Sequence, residues 1–182
     1  MSKYLIISDI HGDYESFSKI IDIYNKDKFK ELLILGDLLY HGPRNPLPKH
    51  YDTKKVYELA NEYKDKILMV KGNCDSEVDQ MVLYFKIHNY KKININGYNC
   101  LLVHGHHLDK LTKDKLKDID IVFYGHTHVH KIEKIDGTYF INPGSISLPK
   151  ENQDKSYIVF NDNRIDIVSL DGKVLDSLLI DK

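Results

Sequence analysis

Residues 121–130 read IVFYGHTHVH, an apolar run followed by histidines at every second place, His126, His128 and His130. A short, uninterrupted apolar run suits a strand covered on both faces. Imidazoles at its exit contribute nothing to such a core. The stretch therefore reads as a buried strand that delivers chemistry at its carboxyl end.

The same pattern occurs four more times. YLIIS precedes Asp9, LLILG precedes Asp37, ILMVKG precedes Asn73, and CLLVH ends at His104. Helical spacing lies between the runs: Phe17, Ile20, Ile21 and Tyr24 follow i, i+3, i+4, i+7, as do Val56, Leu59, Ala60 and Tyr63. Asp13 and Asp52 stand before these stretches as N-caps. Beyond Gly144, SYIVF, RIDIVSL and VLDSLLI are separated by Asn-Asp-Asn and Asp-Gly-Lys, which predicts antiparallel strands and tight turns. The expectation is one α/β domain over residues 1–182, closing in a β-meander. In open α/β sheets ligands bind beyond the carboxyl ends of strands. Side-by-side strand ends would bring together Asp9, His11, Asp37, Asn73, His104, His126 and His128.

Composition narrows the function. The 182 residues are 42% hydrophobic and 29% charged, with a formal net charge of −1. A charge so near zero argues against long nucleic acid, whose phosphates demand a basic surface. No apolar run approaches the roughly 20 residues of a membrane span. The start, MSKYLIISDIHGD, lacks the regions of a signal peptide. Cys74 and Cys100 form no Cys-x-x-Cys pair. A reducing cytoplasm is the expected location.

Taken singly, Asp9-x-His11 reads as a capped turn, Gly36-Asp37 and Asn73 as turn chemistry, and His104 as a satisfied histidine. Their succession at strand exits argues for metal. Carboxylates, imidazoles and an amide oxygen form a mixed N/O donor set suited to Mn²⁺, Fe²⁺, Zn²⁺ or Co²⁺. Seven side chains exceed what one ion with an open position needs, and suit two ions if one carboxylate bridges. Asp37, on the tight turn after Gly36, is the natural bridge. In extended backbone, i and i+2 share a side, so His126 and His128 should face the same metal pair, with His130 too far along.

The ordered motifs SDIHGD (8–13), LGDLL (35–39), KGNCD (71–75), VHGHH (103–107) and YGHTH (124–128) resemble those of the calcineurin-like metallophosphoesterases. NPGS (142–145) matches a turn of its small bacterial members; YHGPRNPLP (40–48) and GNCDSEVDQM (72–81) resemble the YfcE-type phosphodiesterases. The resemblance implies a four-layer αββα sandwich and two divalent ions, usually Mn²⁺, with Fe²⁺, Zn²⁺, Co²⁺ or Ni²⁺ as alternatives. One ion would take Asp9, His11, Asp37 and His128, the other Asp37, Asn73, His104 and His126. It implies hydrolysis of a small phosphodiester by a hydroxide that bridges the ions, and a homo-oligomer.

Many relatives carry histidine after the Gly-Asn asparagine, where this chain has Cys74. A thiol with an ordinary pKa near 8.5 replaces imidazolium poorly. His106, His41 or Asp75 could instead protonate the leaving group, and His106 could also orient a metal-bound histidine. Cys74 reads as a small turn-filler or a substrate contact. Arg44, one of two arginines, reads as a solvated charge or a guanidinium fork for substrate phosphate. The rival readings are a protein-binding scaffold like the retromer subunit of this fold, and a nuclease. Complete ligand positions favour catalysis over the scaffold.

Overall fold

The structure, a computed structural model, describes residues 2–180. Along the chain run β1 (Lys3–Ile7), α1 (Tyr14–Asp27), β2 (Glu31–Ile34), α2 (Thr53–Glu62), β3 (Ile67–Val70), α3 (Glu77–Val82) and β4 (Ile87–His88). Then come β5 (Lys91–Ile95), β6 (Tyr98–Leu102), a 3-10 turn at Leu108–Lys110, α4 (Lys113–Leu116) and β7 (Ile121–Phe123). The remainder is all strand: β8 (His130–Ile135), β9 (Thr138–Pro143), β10 (Ser156–Asn161), β11 (Arg164–Ser169) and β12 (Val174–Leu179).

Side-chain alternation explains the layering. Leu5 and Ile7 of β1, with Leu32 and Ile34 of β2, pack on Phe17 and Ile20 of α1 and Val56 and Ala60 of α2. The intervening Tyr4, Ile6 and Leu33 face the other way, onto Cys100, Leu102, Ile121, Phe123 and Ile141. Strands apolar on both faces must be covered on both faces, and the second cover is another sheet. A seven-stranded sheet ordered β12-β11-β10-β1-β2-β3-β4 thus packs on a five-stranded sheet ordered β5-β6-β7-β9-β8. Leu101, Val122 and Phe140 form the outer face of the smaller sheet, under Leu108, Leu111 and Leu116. The αββα sandwich is present, and its fourth layer is thin: one 3-10 turn and the single turn of α4.

The helices start where expected. Asp13 accepts from the Ser16 N–H and Asp52 from the Lys55 N–H, which satisfies first-turn donors that lack helical partners. β10, β11 and β12 form the expected antiparallel meander.

Two expectations need correction. The strand exits do not lie side by side in one sheet: β1, β2 and β3 are parallel neighbours in the larger sheet, and β6 and β7 in the smaller. They meet because the two sheets pack face to face. Antiparallel pairing also begins well before Gly144, in β5–β6 and β8–β9. Their turns hold Asn96-Gly97 and Asp136-Gly137, every residue at positive φ. Both dipeptides are hairpin signals. Each follows a strand, β5 or β8, too polar to stand out as an apolar run.

Candidate metal centre

Five of the seven converging residues sit in left-handed backbone: Asp9 (φ 55°), His11 (50°), Asp37 (55°), His126 (69°) and His128 (60°). Non-glycine residues rarely adopt this region, and clusters of them mark functional sites. The expectation that His126 and His128 share a side through extended backbone is therefore wrong in its geometry. Each is turned inward by its own φ. Glycine is demanded where the turns touch. A Cβ on Gly72 would lie 2.0 Å from Asp37 Oδ1, and one on Gly125 would lie 1.8 Å from Ser8 Oγ.

Buried polar groups fix these turns to one another. Asp75 accepts the N–H groups of Asp37 (2.8 Å), Leu38 (3.0 Å) and Gly72 (2.7 Å), which joins the exits of β2 and β3. Burial and the nearby Asp37 raise its carboxyl to about 6. Ser145 Oγ donates to the Asp9 carbonyl at 2.7 Å and accepts from Leu148 N at 2.8 Å. Asn142 Nδ2 donates to the Gly125 carbonyl at 2.9 Å. The NPGS turn thus anchors the two loops that carry Asp9 and His126.

The donor atoms decide what the centre can hold. Nδ1 of His11, His104 and His128 lies 2.8, 2.7 and 2.7 Å from the carbonyls of Tyr40, Leu35 and Leu148. A carbonyl only accepts, so each Nδ1 carries hydrogen and each neutral ring presents an Nε2 lone pair. Nε2 of His11 and His128 face each other at 3.1 Å. Asp9 Oδ1 stands 3.2 Å from His128 Nε2, 3.6 Å from His11 Nε2 and 3.9 Å from His104 Nε2. It is buried with no hydrogen bond of proper geometry among the described residues. Asp37 Oδ2 lies 3.3 Å from His104 Nε2 and 3.8 Å from His11 Nε2, and Asn73 Oδ1 lies 3.0 Å from His104 Nε2.

With the rings neutral only acceptors converge here, and lone pairs at such distances repel unless protons or cations lie among them. The charge balance agrees. Burial pushes Asp9 up, but His11, His128 and His104 hold it well below the usual carboxylate range. Burial lowers His104, yet Asp37 and Asp9 raise it to about 9. A divalent cation fits this donor set better than a proton.

The other sequence candidates lie around this centre. Asp9, His11 and His128 form one close group, and Asp9, Asp37 and His104 another; His11, Asp37 and Cys74 form a third. His126 stands at the rim, its ring 5.2 Å from that of His104, while its N–H donates to Asp9 Oδ2 at 2.9 Å. Asn73 is exposed. His106 is exposed too, its ring 5.5 Å from that of His104. It is not the orienting partner of His11, His104 or His128, which backbone carbonyls serve. Burial, then Asp37, push the Cys74 thiol up to about 12, which keeps it neutral. Its N–H donates to Asp37 Oδ1 at 2.8 Å. Asp75 cannot serve readily as a proton donor, because three backbone N–H groups occupy its oxygens. His41 is half-buried, stacked edge-on to Tyr40 and Tyr51. Arg44 is exposed on the 40–50 loop.

Residues 3–163 match the calcineurin-like phosphoesterase superfamily domain. The chain belongs to that superfamily. Among its members, the chain is 37% identical over 174 residues to phosphodiesterase YfcE of Escherichia coli K12, with 95% of each chain covered. The solved structure of the E. coli YfcE phosphoesterase superposes with a TM-score of 0.92 at 35% identity, covering 98% of this chain and 100% of that one. Vps29 of Entamoeba histolytica, solved with zinc, gives a TM-score of 0.61 at 25% identity, covering 97% of this chain and 98% of that one. Among the described residues no helix is long and apolar enough to cross a membrane.

Proposed function

We propose that this calcineurin-like phosphoesterase is a metal-dependent phosphodiesterase of small phosphodiesters, built around two divalent ions. The observation that carries the reading is the convergence of potential metal ligands: three imidazole Nε2 atoms, the Asp9 and Asp37 carboxylates and the Asn73 amide oxygen, with no donor among them when the rings are neutral. Asp9, His11, Asp37 and His128 would hold one ion, and Asp37, Asn73, His104 and His126 the other. Asp37 suits the shared position, because its Oδ2 faces both His11 and His104. Manganese is the preferred ion, with Fe²⁺, Zn²⁺, Co²⁺ and Ni²⁺ as alternatives.

Such ions supply Lewis acidity toward phosphate oxygens and lower the pKa of water. The chain's own residues do the rest. Backbone carbonyls fix the three Nε2 atoms before any ligand arrives. Asp75 holds the Asp37 turn rigid, and Asn73 and His106 border the open side. Cys74 is neutral and supplies no ready proton to a leaving alkoxide, which favours diesters with good leaving groups over phosphomonoesters. A protein-binding scaffold is the second reading, but the filled donor set and the greater similarity to YfcE than to Vps29 support catalysis. Cytoplasmic location and self-association belong to the same proposal.

A crystal soaked in Mn²⁺ and scanned for anomalous scattering tests the centre. Two peaks flanking Asp37 are expected, together with faster turnover of bis(4-nitrophenyl) phosphate than of 4-nitrophenyl phosphate. A single peak, with Asn73 and His126 turned away, overturns the two-ion assignment. Equal or reversed rates overturn the diester assignment.

A further inference from the structure

Beside Asn73, His104 and His106 lies a cavity of about 780 Å³. Small-molecule sites span roughly 300–1,000 Å³. Leu101 and Leu111, from β6 and the segment above it, give the cavity an apolar floor. Tyr90, 62% exposed, stands at its wall. Lys71, Lys92 and Lys110 also line it, and none of the three is ion-paired with a carboxylate among the described residues. Among the described residues the one carboxylate in the wall, Asp75, is bound by three backbone N–H groups. The whole chain carries a formal charge of −1, so these lysines are a local positive excess.

We infer that this cavity receives the non-reacting limb of the substrate, and that the limb is a ring-bearing apolar group with a negative charge of its own. The inference rests on the phosphodiesterase reading and specifies its substrate class. A phosphodiester seated at Asn73 and His104 must send one of its two ester limbs into the open side, and the cavity begins there. The leucine floor rewards burial of an apolar ring, and Tyr90 can stack on it. A neutral limb would leave the lysines unused. A carboxylate or second phosphate on the limb meets ammonium charges that no carboxylate among the described residues pairs with.

Two aryl diesters that share a 4-nitrophenolate leaving group test this with the manganese-loaded protein. One carries phenyl as its second ester, the other 3-carboxyphenyl, and rates are corrected for intrinsic reactivity by alkaline hydrolysis. The carboxylated ester should be favoured in kcat/KM by about three- to tenfold, the range of a partly exposed charge contact or two. The Lys92→Glu/Lys110→Glu variant should bring that ratio to one or below, and the milder Lys92→Gln and Lys110→Gln variants should lower it stepwise. Lys64→Glu, on the exposed surface away from the cavity, should leave the ratio unchanged. A parent ratio of one or less overturns the inference, as does a ratio that survives both charge reversals. Turnover of the neutral ester alone preserves the phosphodiesterase reading while the limb assignment fails. Turnover of neither ester overturns both.

Discussion

Asp75 stands two residues beyond Asn73, where its sequence position suggests a proton donor. In the fold its Oδ2 accepts from Asp37 N and Gly72 N, and its Oδ1 from Leu38 N. Replacing it with asparagine puts an amide NH₂ against backbone donors, which leaves a buried N–H unpaired. Asp75→Asn should therefore cost about 1–3 kcal/mol of stability, measured by denaturant unfolding of the metal-free protein. It should also weaken Mn²⁺ binding, because the Asp37 turn loses its clamp. Unchanged stability together with lost turnover would instead make Asp75 the proton donor. The candidate ligands were legible because metals demand particular atoms, and Asp, His and Asn recur at strand exits. Asp75 was not, because two of its three partners, Asp37 N and Leu38 N, lie 38 and 37 residues away in sequence and are brought near only by the β2–β3 pairing. The orienting partners of the histidines were equally hidden: they are backbone carbonyls, which every residue has.

The strand-exit turns behave as a set, and the 40–50 loop shows how one of them reaches the substrate side. Its root is fixed: the Tyr40 carbonyl holds His11 Nδ1, and a Cβ on Gly42 would meet Cys74 Sγ at 2.9 Å. Its far end is fixed as well, by Tyr51 N–H donating to the Pro48 carbonyl at 3.2 Å and by the Asp13–Tyr51 bridge. Arg44 sits between these anchors, flanked by Pro43 and Pro46 that restrict the backbone. A guanidinium on a stiffened, exposed arch loses little further entropy on gripping an anion. Arg44→Ala should raise KM with metal content unchanged and lower kcat/KM at least about tenfold, the value of one charge-assisted contact. Arg44→Lys should recover part of the loss, since it keeps the charge without the fork. Parent-like kinetics for Arg44→Ala on several diesters would return the residue to solvent. The long apolar strands and both major helices were legible from periodicity. β4, β5 and β8 were not, because short, half-exposed strands carry too few apolar residues to form a pattern, although Asn96-Gly97 and Asp136-Gly137 marked two of their turns.

At the scale of the molecule, the centre joins the two sheets: Asp9 and Asp37 leave strands of the larger one, His104 and His128 follow strands of the smaller. Unfolding therefore separates charges that folding places within 4 Å. Without metal, protonated His104 is a cation among these carboxylates, its pKa raised to about 9 from an ordinary 6.5. A raised pKa stabilises the fold fully below the unfolded value, and the contribution fades as pH rises through the folded value. The metal-free protein should lose stability from pH 6.5 toward 9. Asp9 and Asp37, held below the ordinary carboxylate range, stay ionised across that window, and Asp75, near 6, is mostly ionised above it. A divalent ion must displace the His104 proton, so its binding strengthens over the same interval. The melting temperature in Mn²⁺ minus that in chelator should grow steadily between pH 6.5 and 8.5. Each kcal/mol of added binding should appear as about 2–4 °C. His104→Gln should flatten the trend, because glutamine has no proton to release there. A gain that stays constant or shrinks with pH would mean that His104 is not a ligand, and that the cation sits elsewhere or is not bound.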